Sequence, residues 1–99
     1  MTRTTPRTRA RTYRRVVRIV NKRGLHARAA AKFVQCAERF DAEILVVKLD
    51  LTVSGRSIMG LMLLAAAPGS EIEIRASGRQ AKAALEAICA LIANHFDED

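Results

Sequence analysis

Apolar residues recur along this chain with two different periods, and the switches between them divide it into elements. Residues 13–20, YRRVVRIV, alternate closely enough for a first strand, with Val17 and Ile19 on one face. Asn21-Lys22-Arg23-Gly24 reads as a loop. From Ala27 to about Phe40 the apolar positions Ala29, Ala30, Phe33, Val34, Ala37 and Phe40 fall at helical spacing, with Arg28, Lys32, Glu38 and Arg39 as their charged complement. The period of two returns over EILVVKLDLTV. There Leu45, Val47, Leu49, Leu51 and Val53 share one face and Lys48, Asp50 and Thr52 the other, so alternation alone draws one long strand.

Ser54-Gly55-Arg56 breaks that alternation ahead of SIMGLMLLAAAPG, an apolar run of helical length closed by Pro68-Gly69, with Ser57 placed to cap it. Met59 and Met62 in this run belong to a core or a docking surface. Glu71-Ile72-Glu73-Ile74-Arg75 alternates strictly and reads as another strand, and Ser77-Gly78-Arg79 as a turn. A last helix carries Ala81, Ala84, Leu85, Ile88, Leu91, Ile92 and His95 on one stripe. His95 then lies in its final turn, as a partner of the helix dipole or a packing residue. This order of elements predicts an α+β sandwich, an antiparallel sheet covered on one side by helices.

Composition narrows the picture. A chain of 99 residues has room for one core, and 49% apolar residues with only 4% aromatics and no Trp make it a core of Ala, Val, Leu, Ile and Met. The longest apolar run, Ile58–Ala67, is too short to span a bilayer, so no membrane insertion is expected. Cys36 and Cys89 match no CxxC or zinc spacing, which leaves reduced thiols of a cytosolic protein or one buried disulfide. Neither a metal nor any other cofactor is expected.

The net charge of +7 is unevenly placed. Six of the 17 Lys and Arg residues, and none of the 10 Asp and Glu, lie in positions 1–15, which leaves eleven bases against ten acids beyond them. The basicity therefore belongs to an arm. Residues 1–12, rich in Thr and Arg, are expected to be disordered, because they cannot bury enough surface to fold. Neither a secretory signal nor an amphipathic transit helix is expected there. The folded unit is placed at residues 13–99.

One of only two histidines, His26, stands beside the predicted start of the first helix. The first N–H groups of a helix lack intrahelical partners, and with the dipole they form a natural anion site. A neutral imidazole nitrogen there can attack a phosphoryl donor and hold the group covalently. Ala27 is too small to crowd a phosphate, and Arg28 supplies a guanidinium for its oxygens. No acid pair or P-loop offers a second active site, so the chain is not expected to be a complete enzyme.

Gly24-Leu25-His26-Ala27-Arg28 followed by Ala30 resembles the active-site motif of the HPr family, the histidine phosphocarriers of the bacterial phosphotransferase system. Ser57-Ile58-Met59-Gly60-Leu61-Met62 is similar to that family's regulatory-serine segment, and the resemblance spans roughly residues 13–95. It implies an HPr-like open-faced sandwich, a four-stranded antiparallel sheet covered on one side by three helices. It implies a cytoplasmic, monomeric carrier that takes a phosphoryl group from phosphorylated enzyme I on Nδ1 of His26 and passes it to an enzyme IIA domain. Arg28 would assist transfer, and the backbone amides of Ala27 and Arg28 would receive the phosphate. Ser57 matches the serine modified by HPr kinase/phosphorylase, and Ile58, Leu61 and Met62 would belong to the partner-docking surface.

Two positions depart from the family pattern. Ala29 stands where proline usually follows the active-site arginine, which restores an N–H and bears on transfer rate and enzyme I recognition. The glycine-containing turn between the middle strands is missing; the matching place is Leu49-Asp50. The resemblance favours a hairpin there, with Asp50 as the residue able to turn left-handed. The rival from another class is a small nucleic-acid-binding α+β protein acting through its basic arm. It predicts affinity that falls steeply with salt and is lost with residues 1–12, but the near-neutral domain and lack of paired strand aromatics count against it.

Overall fold

The computed structural model describes residues 11–98. The arm expected over residues 1–12 lies outside them except for its last two positions. Thr12 already pairs with Ser77, so the sheet begins one residue earlier than the expected boundary.

The elements run β1 (Thr12–Arg18), α1 (Ala27–Ala37), β2 (Glu43–Lys48), β3 (Leu51–Ser54), α2 (Ile58–Leu63), β4 (Glu71–Ser77) and α3 (Ala81–Ala93). The four strands form one antiparallel sheet in the order β1-β4-β2-β3, which leaves β1 and β3 on the edges. Strand alternation sends Ile44, Val46, Ile72, Ile74 and Ala76 to one face, all buried. All three helices cover that face. Phe33, Ala30 and Ala37 of α1, Leu61 of α2, and Leu85, Ile88 and Ile92 of α3 fill a single core with it.

Several boundaries differ from the sequence expectation. EILVVKLDLTV is a hairpin and not one strand: Val46 pairs with Val53, Val47 with Thr52 and Lys48 with Leu51. The left-handed turn residue is Leu49, with φ 55, and not Asp50. Helix α1 stops at Ala37, and Phe40 is only partly buried beyond it. Likewise α3 stops at Ala93, so His95 is not in its final turn. His95 begins a short 3₁₀-type turn, His95–Asp97, in which Phe96 is buried and His95 exposed. Cys36 and Cys89 are free thiols, each pushed above the ordinary thiol range by burial. No helix among the described residues is long and apolar enough to cross a membrane.

Candidate functional site

His26 is the N-cap residue of α1, extended at φ −79 and ψ −179, and its side chain makes no capping hydrogen bond. The first bond of the helix runs from the Ala30 N–H to the His26 carbonyl at 2.8 Å. The N–H groups of Ala27, Arg28 and Ala29 therefore lie ahead of any intrahelical acceptor, at the positive end of the dipole. A proline at position 29 would remove one of these donors. Ala29 keeps it, and its methyl is fully buried in the core.

The loop before the helix is set by Gly24. It has φ +68, and a Cβ there would stand 2.6 Å from the Ala66 carbonyl oxygen. This close approach lets the Leu25 N–H donate to the same oxygen at 2.9 Å while the His26 N–H donates to the Gly24 carbonyl at 2.9 Å. Buried Leu25 anchors the loop from within. The sequence motif thus has a mechanical basis: glycine permits the approach, leucine fixes the loop, and histidine is delivered to the helix start.

The imidazole is not left to rotate. Its Nε2 meets the Glu98 carboxylate, and the two side chains are only 16% and 19% exposed. The other carboxylate oxygen of Glu98 accepts from Asn21 Nδ2 at 3.1 Å, and the same nitrogen donates to the Gly24 carbonyl at 2.8 Å. The hydrogen bond with His26 is the main reason the Glu98 carboxyl sits below its ordinary range; partial burial opposes it, and Asn21 adds to it. Arg28 is exposed beside this cluster, on an open hollow of about 360 Å³ lined by Lys22, Arg23, Arg28, Lys32, Asp97 and Glu98. The hollow is predominantly cationic and suits an anion brought up to the helix start.

Ser57 is half-buried at the N-cap of α2, and its Oγ accepts from the Gly60 N–H at 2.9 Å, the capping role expected of it. The docking residues divide. Ile58 and Met62 are exposed, but Leu61 is fully buried and belongs to the core, because the short helix turns that position toward the sheet. Met59 and Leu63, 75% and 70% exposed, take the outward place instead.

The structure therefore places His26, Arg28 and the amides of Ala27 and Arg28 at the start of α1, and sets Ser57 at the start of α2. It adds Glu98 and Asn21, which sequence reasoning missed. Asn21 read as loop punctuation, yet it is the one buried polar residue of the described chain, and nothing local announces that. Glu98 follows the last periodic element, where no pattern reports a tertiary contact.

Residues 13–94 match the family model described as the PTS HPr component phosphorylation site. The phosphocarrier protein HPr of Neisseria meningitidis serogroup A is 49% identical over 82 residues, covering 83% of this chain and 92% of that protein. The phosphocarrier protein NPr of Shewanella violacea is 48% identical over 84 residues, covering 85% and 92%. Among solved structures, HPr-C-His from Thermoanaerobacter tengcongensis superposes with a TM-score of 0.84 at 39% identity, over 88% of this chain and 98% of that one. With the histidine at the helix start, the capping serine and the four-stranded sandwich all in place, this chain belongs to the HPr family, the phosphocarriers of the phosphotransferase system.

Proposed function

We propose that His26 accepts a phosphoryl group on Nδ1 from phosphorylated enzyme I and delivers it to an enzyme IIA domain. The observation that carries this reading is the occupation of Nε2 by Glu98, which leaves Nδ1 as the ring nitrogen able to attack. That nitrogen belongs to a side chain at the amide-rich start of α1.

In the transfer the Nδ1 lone pair attacks phosphorus in line with the departing donor atom, and the Nδ1–P bond forms as the donor bond breaks. The phosphoryl oxygens turn toward the N–H groups of Ala27 and Arg28, whose fixed dipoles need no reorganisation when the charge arrives. The Arg28 guanidinium, exposed at the rim, reaches the same oxygens as the group approaches or leaves. Delivery to enzyme IIA is the same step reversed. The protein supplies a station for the group and does not turn over a substrate alone.

Ile58, Met59, Met62 and Leu63 form an apolar surface on α2 for these partners. Ser57 is a site for regulatory phosphorylation by HPr kinase/phosphorylase. A phosphate there sits at a helix start that tolerates negative charge, so the fold survives. The docking surface, however, acquires a dianion beside apolar side chains, which weakens association with acidic partners and with apolar pockets. Purified enzyme I with labelled phosphoenolpyruvate tests the reading. Acid-labile label on the wild-type chain, with the phosphorus located on Nδ1 by nuclear magnetic resonance, is the expected result. Label on Nε2, or on Ser57 alone, contradicts it.

A further inference from the structure

Past the end of α3 the chain does something costly. His95, Phe96 and Asp97 have φ values of 59, 53 and 63, and a non-glycine residue enters that region at roughly 1–2 kcal/mol each. Such a turn persists only where surrounding contacts impose it. Here Phe96 is completely buried, Lys32 Nζ donates to the Phe96 carbonyl at 2.9 Å, and Asn94 Nδ2 donates to Asp97 Oδ1 at 2.8 Å. The result is to bring Glu98 back across the molecule to His26, 72 residues earlier. The carboxylate is held at both oxygens, by the ring on one and by Asn21 on the other.

We propose that Glu98 is a positioning residue for phosphoryl transfer, its carboxylate holding the proton of His26 on Nε2 and facing the ring charge that transfer creates. This rests on the phosphocarrier reading above. The donor is taken to hold the phosphoryl group on a protonated imidazole. Attack by Nδ1 forms one N–P bond as the donor's N–P bond breaks, and the electron pair of the broken bond stays on the donor nitrogen. The Nε2 proton does not move. One positive charge passes from the donor ring to the His26 ring, where the carboxylate stands opposite it on the edge away from the phosphate. Lys22, Arg23, Arg28 and Lys32 around the hollow attract the incoming anion. Glu98, with Asp97, is the acidic counterweight among the residues lining it. A strained turn fixed by Lys32 and Phe96 serves this purpose better than a mobile terminus, because an ordered carboxylate loses less freedom when the charge appears.

The test uses the full chain, with histidine labelled by nitrogen-15, as wild type, Glu98→Gln and Glu98→Ala. In the wild type the ring nitrogens of His26 should report a proton held on Nε2 and a lone pair on Nδ1. In Glu98→Ala that proton should exchange freely, and the maximal rate of phosphoryl uptake from enzyme I should fall about tenfold, the scale of a charged hydrogen bond, at unchanged KM. Glu98→Gln, similar in shape but uncharged, should recover the ring signature and only part of the rate. Both variants at the wild-type rate, or a change in KM alone, would overturn the positioning role while leaving the carrier intact. A wild-type chain that takes no label from enzyme I would overturn both.

Discussion

Gly24 and Gly69 make a matched pair for testing how the active-site loop is built. Both have positive φ, +68 and +88. A Cβ on Gly69 would meet nothing within 4 Å, whereas one on Gly24 would stand 2.6 Å from the Ala66 oxygen and 3.2 Å from Ala67 Cα. Gly69→Ala therefore carries the conformational cost alone, about 1 kcal/mol. Gly24→Ala adds a collision with backbone atoms that cannot rotate away, and overpacking of this kind costs about 1–3 kcal/mol more. The total, about 2–4 kcal/mol, is a large fraction of the roughly 5–15 kcal/mol that stabilises a domain. At about 4–8 °C per kcal/mol for a domain of this size, Gly69→Ala should lower Tm by roughly 5 °C and Gly24→Ala by 10 °C or more. Because the Leu25–Ala66 bond and the Gly24–His26 bond run through the same loop, Gly24→Ala should also slow phosphoryl uptake, and Gly69→Ala should not. Thermal melts and an enzyme I uptake assay on the two variants decide the matter. Equal losses of stability, or normal uptake by Gly24→Ala, would refute the claim that close approach to Ala66 sets the histidine.

Ser57→Ala removes the acceptor for the Gly60 N–H and should cost about 1 kcal/mol in denaturant unfolding, with enzyme I uptake unchanged. Phosphorylated Ser57 should instead leave stability nearly intact and weaken partner binding, as read by calorimetry. Ala29→Pro deletes an N–H that has no helical acceptor, so stability should change by less than about 1 kcal/mol. Label uptake under matched conditions then gives the effect of the usual proline, expected to be faster transfer. For pH, the Glu98 carboxyl is depressed chiefly by its bond with His26, so the folded protein binds that proton more weakly than the unfolded chain. The contact thus contributes stability above the ordinary value of 4.5, and this is lost as pH falls through the lower folded value. Carboxyl carbon shifts should give a Glu98 midpoint below 4.5 that rises toward it in His26→Ala.

Much of this architecture was legible because the strong periodicities report burial directly. Ala29, Ala30, Phe33, Val34 and Ala37 mark the inner stripe of α1, and all are buried. Ile72 and Ile74 mark the inner face of β4 in the same way. The middle hairpin was not legible from alternation, for a geometric reason. A two-residue turn puts Lys48 opposite Leu51, so even positions of β2 and odd positions of β3 point the same way. The sequence pattern runs through the turn without a break, while the buried set changes from Ile44 and Val46 to the half-buried Val53. The residue that turns is Leu49, 89% exposed, where a glycine would have announced the bend. Resemblance to the family supplied the hairpin that spacing could not.

At the site, the local parts were readable and the distant ones were not. His26, Arg28 and Ser57 all lie at helix starts, where capping rules and unpaired amides follow from a few neighbouring residues. Leu61 shows the limit of such reading. It sits in an apolar run whose members look alike in sequence, and only the docking of a helix of 6 residues decides which of them faces the core. Glu98 is further out of reach. Its position depends on a left-handed turn at three non-glycine residues, which no propensity favours and which buried Phe96 and Lys32 impose.

Phosphoryl uptake by His26 is the claim on which the rest depends, and one comparison addresses it most directly. Wild type and His26→Ala are each incubated with enzyme I and labelled phosphoenolpyruvate, and acid-labile label on the chain is counted. Label is expected on the wild type and none on His26→Ala, with both chains folded. Equal labelling of the two, or no label on a folded wild type with a cognate enzyme I, would contradict it.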